Sequence, residues 1–348
     1  YVCVCVCMCV CMYECMYVSM YVSMHPCMYV CVCMYMYVYV CICMCICVCV
    51  HECVCRSACA RTRTRNRVIF SSLEKRNGAF QMSDSGENGE DGLVKVTREG
   101  KKLIIEVDRH TKMNGFTPSM FDGISAAYEE IEQDDDLWVG VLTFAGPHTT
   151  AGLDLPKFFG PGAEQSSQQK ETDRPDAFSL RRRCNKPVVM AVQGVTFTIG
   201  IEMMLAADIV IAAEDSRFCQ LEPTRGLAVF GGAHVRYIQR AGWGNAMYHL
   251  LRADEFDAHR ALDLGFVQEV VAAGSQIDRA KELADEICQC APIALQEIKR
   301  AANIYLEKGE SQGFSEIERM RAMTLASEDV KEGMQSFIER RDPKFQCK

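Results

Sequence analysis

The sequence predicts an α/β fold with parallel strand pairing, followed by a helical region. "KPVVMAVQG", "GIEMMLAA" and "DIVIAAE" (residues 186–214) read as strand, helix and strand in immediate succession. Such alternation indicates parallel pairing in an α/β layer. From about Asp257 to the C-terminus, apolar residues recur at helical spacing instead.

The 348 residues are not one material. Residues 1–50 are almost entirely Cys, Val, Met, Tyr and Ile, and 17 of the 22 cysteines lie between Cys3 and Cys59. The segment is far longer than one membrane span requires, and Cys/Tyr alternation is not the usual Leu-rich span. Cys-Val-Cys spacing without His or charged partners matches no zinc framework. Strict alternation is also a signature of β-aggregation. The residues used are those encoded by TG- and TA-type nucleotide repeats, and "ARTRTRNR" (Ala60 to Arg67) fits a related repeat. Residues 1–81 are therefore expected to be disordered low-complexity sequence, from a translated repeat or a wrongly extended gene model. The first residue is Tyr1, and Met82 is the expected start. The Arg-rich stretch lacks the amphipathic Ser/Arg pattern of a transit signal.

Residues 82–348 are long enough for one large domain or a domain with a helical extension. Seven of the 38 basic and three of the 46 acidic residues fall in 1–81, which leaves 31 and 43, a net charge of −12. That acidity argues against nucleic-acid binding. Five cysteines remain, at 184, 219, 288, 290 and 347, without paired ligand spacing. They fit a reducing compartment and no disulfide framework. No secretory signal or spanning helix is read in this part, and cytoplasm is the expected location, with the mitochondrion as the alternative.

In chain order, "KKLIIEVDR" (Lys101 to Arg109) reads as a strand. Thr117 and Pro118 supply an N-cap and a first helical position. Phe121, Ile124, Tyr128 and Ile131 then recur at helical spacing, which predicts a helix over 118–133. "LWVGVLTF" (Leu137 to Phe144) is a buried strand, and the Gln-rich stretch Gly160 to Asp176 reads as a mobile loop. Later helices are predicted at Ala258–Leu264, Ile277–Cys290, Pro292–Leu306 and Asp329–Arg340. The last carries an apolar face with Val330, Met334 and Phe337. No internal repeat is evident in residues 82–348.

One residue stands out. Glu202 lies inside the apolar run "TIGIEMMLAAD", and an isolated buried carboxylate is costly unless paired, hydrogen-bonded or protonated. It is either a satisfied structural acid or a general acid/base kept in a dry cleft.

Four stretches together resemble the enoyl-CoA hydratase/isomerase, or crotonase, superfamily. "TAGLDL" (Thr150 to Leu155) resembles one of its loops, and residues 186–227 follow its central signature almost position for position. "ADEFDAHRALDLGFVQEVV" and "SEDVKEGMQSFIERRDPKF" resemble its exit segment and C-terminal helix. The resemblance runs from about residue 93 to 345. It implies a crotonase-like spiral of ββα turns over 82–256 and a helical region over 257–348 that assembles trimers or dimers of trimers. It also implies an acyl-CoA thioester substrate, with coenzyme A as part of that substrate, and no metal or other cofactor.

The shared chemistry is stabilisation of a thioester enolate by two backbone N–H groups. The resemblance places these donors at Leu153 and Ile199, with Gly152 and Gly200 beside them giving the chain freedom to turn. The family's run of three glycines before the glutamate is here Thr198, Ile199 and Gly200, and β-branched residues disfavour positive φ. Glu202 falls on the first catalytic glutamate of the hydratases and Glu222 on the second. Glu202 is expected to hold and activate water, Glu222 to exchange the proton at C2, and the two roles can interchange.

Ala151, Gly152, Asp154, Leu155 and Gly200 are expected around the substrate, and Lys112 and Met113 fall where the family contacts the CoA end. Asp154 reads mainly as a loop-orienting residue, and Lys344 is a further candidate for phosphate. Arg181 to Arg183 face either CoA or water. His148 reads as structural, and Phe144, Phe158, Phe159 and Phe230 are candidates for the acyl pocket. No His spacing suits a metal. Both glutamates favour hydration over isomerisation or thioester hydrolysis. They also count against a non-catalytic acyl-CoA-binding or RNA-binding relative.

Overall fold

The computed structural model describes residues 91–161 and 173–348. The readings of residues 1–81 and of most of the Gln-rich loop lie outside the described residues.

Strands β1 (Leu93–Glu99), β2 (Lys102–Asp108), β3 (Val139–Phe144), β4 (Val188–Val192), β6 (Ile209–Ala213) and β9 (Glu269–Val271) form one sheet in the order β1-β2-β3-β4-β6-β9. Only the β1–β2 pair is antiparallel, and the rest of this sheet is parallel. A second sheet joins β5 (Val195–Phe197), β7 (Arg217–Cys219) and β8 (Phe256–Asp257), with β5 and β7 parallel and β7 and β8 antiparallel.

The pleat sorts alternate residues of the large sheet to two faces. Leu103, Ile105, Val107, Leu142, Phe144, Val188, Met190 and Val192 pack on one face, together with helix α1 (Pro118–Gln133). Ile104, Val139, Val141, Val189, Ala191 and Ile211 pack on the other, where Ala280 and Ala284 sit on a later helix, Gln276–Ile287. Covered on both sides, β3 and β4 are buried at every position, which is why they read as continuous apolar runs rather than alternating ones.

Helix α1 starts where expected, with Pro118 in its first turn. Thr117 makes no side-chain cap and instead donates to the Asp91 carbonyl at 2.7 Å. After α2 (Leu155–Phe159) comes α3 (Ile199–Ala206), whose eight residues are all buried, as suits a helix that is apolar all round. Helix α4 (Ala233–Arg252) was not predicted. Its run is interrupted by Gly242 at φ 74°, and its apolar residues form no regular stripe. Strand β1 also escaped prediction, because it is a partly exposed edge strand of mixed polarity.

The C-terminal region contains α5 (Ala258–Asp263), α6 (Gln276–Ile287), α7 (Pro292–Lys308), α8 (Glu310–Ser315), α9 (Ile317–Ala326) and α10 (Glu328–Glu339). The apolar face predicted on α10 is exposed in the single chain, with Phe337 at 84% and Ile338 at 73%.

Candidate active site

The site forms where β5 turns into α3. A strand reaching a helix N-terminus in one residue needs an unusual backbone, and Thr198 supplies it at φ 50°, ψ −115°. For a β-branched residue this is a strained conformation. Both of its backbone groups are tied down. Its N–H donates to the Cys219 carbonyl at 2.9 Å, and its carbonyl accepts from Ile201 and Glu202 at 3.0 and 3.2 Å. The positive φ expected near the second donor thus falls on Thr198. Gly200 is not among the positive-φ residues. Its lack of a side chain matters for packing, since a Cβ there would lie 2.7 Å from Thr150 Cγ2.

The loop Thr150–Leu155 faces this turn. Gly152 has φ 118°, and a Cβ on it would lie 2.6 Å from Thr198 Oγ1, so only glycine allows the two segments to approach this closely. The loop is fixed by bonds on both sides. Phe116 N–H donates to Gly152 O at 2.9 Å, Asp154 N–H to Phe116 O at 2.9 Å, and Phe197 N–H to Thr150 O at 3.0 Å. Asp154 makes no side-chain cap on α2 and instead pairs with the buried Arg109 at 2.8 Å. Its loop-orienting role is therefore exercised through Arg109. The N–H groups of Leu153 and Ile199 have no protein acceptor among the described residues.

A cavity of about 710 Å³ opens between these segments. Of the predicted residues, Glu202, Glu222, Leu153, Ile199, Ala151, Gly152 and Leu155 line it, as do Phe158, Phe159 and Phe230. Phe144 does not, because it is packed in the sheet core. Gly200 and Asp154 are not among the residues that line it. Lys112 ends a short 3-10 turn, His110–Lys112, and Met113 follows as its left-handed cap, its carbonyl accepting from Ala151 N–H at 3.0 Å. Met113 thereby adjoins the cavity wall, and neither residue lines the cavity. Of the three consecutive arginines only Arg181 lines it. Arg182 pairs with Glu132, and Arg183 lies 3.9 Å from Asp208. Lys344 is exposed on the C-terminal segment. His148 accepts through Nδ1 from Val195 N–H at 3.2 Å, which ties one strand end in place.

The two glutamates differ. Glu202 is 1% exposed, and its Oε1 accepts from the N–H groups of Gly231 (2.8 Å) and Ala233 (3.1 Å). Burial raises its pKa, opposed by those two N–H groups and by Arg236. Glu222 lies on a 3-10 turn, Glu222–Arg225, and its Oε2 is buried without a partner among the described residues. Burial pushes its pKa up to about 7, its own backbone N–H opposes this, and the Glu202 charge adds to it. A carboxyl group that holds a proton near neutral pH can both give and take one.

Arg236 was missed by sequence reasoning. From α4 it donates to the carbonyls of Gly231 (3.0 Å), Phe178 and Ser179 (3.2 Å), binding together the two loops that enclose Glu202. A lone arginine on an unpredicted helix gave no signal. Among the described residues, no group of three His, Cys, Asp or Glu side chains is arranged to hold a metal ion, and no helix is long and apolar enough to cross a membrane.

Comparison with known proteins agrees with this architecture. The family model described as "Enoyl-CoA hydratase/isomerase" matches residues 99–348. Enoyl-CoA hydratase EchA19 of Mycobacterium tuberculosis is 31% identical, over 75% of this chain and 98% of its own. The 2,3-dehydroadipyl-CoA hydratase of Escherichia coli is 27% identical, over 72% of this chain and 97% of its own. Among solved structures, a probable enoyl-CoA hydratase/isomerase from Mycobacterium abscessus superposes with a TM-score of 0.70 at 37% identity, covering 73% of this chain and 98% of that one. The likeness extends across both the sheet-bearing part and the C-terminal helices, and the chain belongs to the enoyl-CoA hydratase/isomerase family.

Proposed function

We propose that the protein adds water across the 2,3 double bond of a 2-enoyl-CoA thioester. One observation carries the reading. Two carboxyl groups with raised proton affinity share a largely apolar cavity with two backbone N–H groups that have no protein acceptor among the described residues.

The thioester oxygen is held by the N–H groups of Leu153 and Ile199. Charge grows on that oxygen as the enolate forms, so fixed donors favour the transition state over the ground state. The positive end of α3 adds to this effect. Glu202 holds the water, its Oε1 engaged by Gly231 and Ala233, and accepts a proton as the water oxygen bonds to C3. Glu222 gives its proton to C2. The product has gained one hydroxyl and one hydrogen, and proton exchange between the acids through solvent restores the starting state. Lys112 and Met113 are assigned to the CoA end, and coenzyme A takes part only as a portion of the substrate.

Exposed apolar side chains on the C-terminal helices, among them Phe314, Phe337 and Ile338, support assembly into a trimer or a dimer of trimers. The chemical test follows the loss of conjugated-thioester absorbance with crotonyl-CoA and longer enoyl-CoAs, for the purified protein and for its Glu202→Gln and Glu222→Gln variants. Each variant is expected to lose about 10²–10⁴-fold in kcat. Full activity in either removes that residue from the mechanism. Incorporation of ¹⁸O from water at C3 separates hydration from migration of the double bond.

A further inference from the structure

Two cations in the cavity are left over by the chemistry above. Arg181 and Arg225 both line it, and neither guanidinium has a hydrogen bond or ion pair among the described residues. Besides the two glutamates, the carboxylate on the cavity wall is Asp176, and it is already committed. Its Oδ1 accepts from the N–H groups of Phe178 and Leu180 at 3.1 and 3.0 Å, and its Oδ2 from those of Arg181 and Arg182 at 3.0 and 3.2 Å. Four backbone donors satisfy that carboxylate without using a guanidinium.

Both arginines are exposed residues of the cavity wall, and both belong to segments that carry or flank the reacting acids. Arg225 is three residues after Glu222 on the same 3-10 turn. Residues i and i+3 of such a turn eclipse, about 6 Å apart along the axis, so Arg225 leaves the backbone on the same side as the proton-exchanging carboxyl. Arg181 follows Phe178 by three residues in the same loop, and a Cβ built on Gly231 would lie 2.9 Å from the Phe178 ring. Gly231 is the residue whose N–H binds Glu202. The phosphates of coenzyme A are separated from the thioester by the whole pantetheine arm, a distance that anchors next to Glu202 and Glu222 do not cover. Next to a neutral hydrocarbon tail, each guanidinium would lose solvent and gain nothing. Opposite a carboxylate, each can form the paired, planar contact that arginine favours.

We propose that the acyl group of the substrate carries a carboxylate at its far end, received by Arg181 and Arg225. The substrate class is then a mono-CoA thioester of an unsaturated dicarboxylic acid. This rests on the enoyl-CoA reading of the same cavity, and the test is chosen to be independent of turnover. Equilibrium binding is measured by calorimetry with two saturated, unreactive thioesters of equal length, hexanoyl-CoA and the mono-CoA thioester of hexanedioic acid. The second is expected to bind about 10–100-fold more tightly, the range for hydrogen bonds to charged groups. The preference is expected to shrink with added salt. In Arg181→Gln/Arg225→Gln it should fall to about twofold or less, and Arg181→Lys/Arg225→Lys should retain part of it.

Equal binding of the two thioesters by the unaltered protein overturns the proposal, as does a preference that survives in the glutamine double variant. Equal weakening of both thioesters in that variant would assign the arginines to CoA phosphate and likewise overturn it. Failure of the enoyl-CoA reading shows differently, as loss of binding to both thioesters already in the unaltered protein.

Discussion

Thr198→Gly should stabilise the protein, although it removes a side chain from a well-packed turn. At φ 50°, ψ −115°, the threonine backbone is held in a conformation that costs about 1–3 kcal/mol for a non-glycine residue. Its Oγ1 is buried without a partner among the described residues, which costs a further 1–3 kcal/mol or so. Against this, glycine adds about 1 kcal/mol of chain entropy to the unfolded state, and loss of the buried methyl forfeits about 0.8 kcal/mol. The balance is a gain of about 0–4 kcal/mol, centred near 2, which is roughly 4–8 °C in Tm for a chain of this size. Scanning calorimetry of the two proteins side by side measures it.

The same contact yields a sharper test by mutant cycle. Gly152→Ala places a Cβ 2.6 Å from Thr198 Oγ1 at a φ of 118°, so it introduces both a clash and backbone strain. In a Thr198→Gly background the clash vanishes while the strain stays, which predicts a coupling of about 1–2 kcal/mol between the sites. Thr198→Gly that destabilises by more than about 1 kcal/mol, or a cycle that is additive, would refute the account of this turn.

Further predictions concern the acids and their supports. Because burial lifts the Glu222 pKa to about 7, kcat for hydration should fall as pH rises through about 7, since the acid loses its proton. The reverse dehydration runs through the same singly protonated pair of acids and should fall over the same interval, and profiles flat from pH 6 to 8 in both directions would remove Glu222 from proton exchange. Its raised folded-state pKa also means that ionisation costs stability. The penalty is absent below the ordinary carboxyl range and grows as pH rises to about 7, so Glu222→Gln should raise Tm at pH 8 and leave it unchanged at pH 4. Asp154→Asn removes one charged partner of the buried Arg109 and should cost about 1–3 kcal/mol by urea denaturation. It should also lower kcat by loosening the loop that carries Leu153. Arg236→Leu breaks the bonds joining the two loops around Glu202. It should lower kcat more than it raises KM, and an effect confined to KM would contradict a role in positioning that carboxylate.

How much of this was legible in the sequence depends on where each feature gets its cause. The parallel sheet and α1 were readable because burial on one or both faces writes itself into local apolar patterns, as in β3, β4 and the spacing of Phe121, Ile124, Tyr128 and Ile131. Glu202 was readable because a charge in an apolar run conflicts with its surroundings, and Glu222 because the family signature extends across it. Helix α4 was not, since its burial is patchy and Gly242 interrupts it. Nor was Arg236, whose three carbonyl partners lie 5 to 58 residues away in the chain.

Thr198 is the most instructive case, because local propensity was right about the cost and wrong about the outcome. The preference of a β-branched residue for negative φ is worth a few kcal/mol at most. Against it stand hydrogen bonds from Thr198 N–H to β7 and from two α3 N–H groups to the Thr198 carbonyl. The buried helix α3 beyond them would have to move for the turn to relax. When a helix with every residue buried begins one residue after a strand end, the fold dictates the turn and the residue there accepts the strain. The consequence is functional as well as structural. In the proposed mechanism the N–H of Ile199 is aimed by the conformation of Thr198 and not by any property of its own side chain, so that mechanism tolerates a branched residue at the donor position.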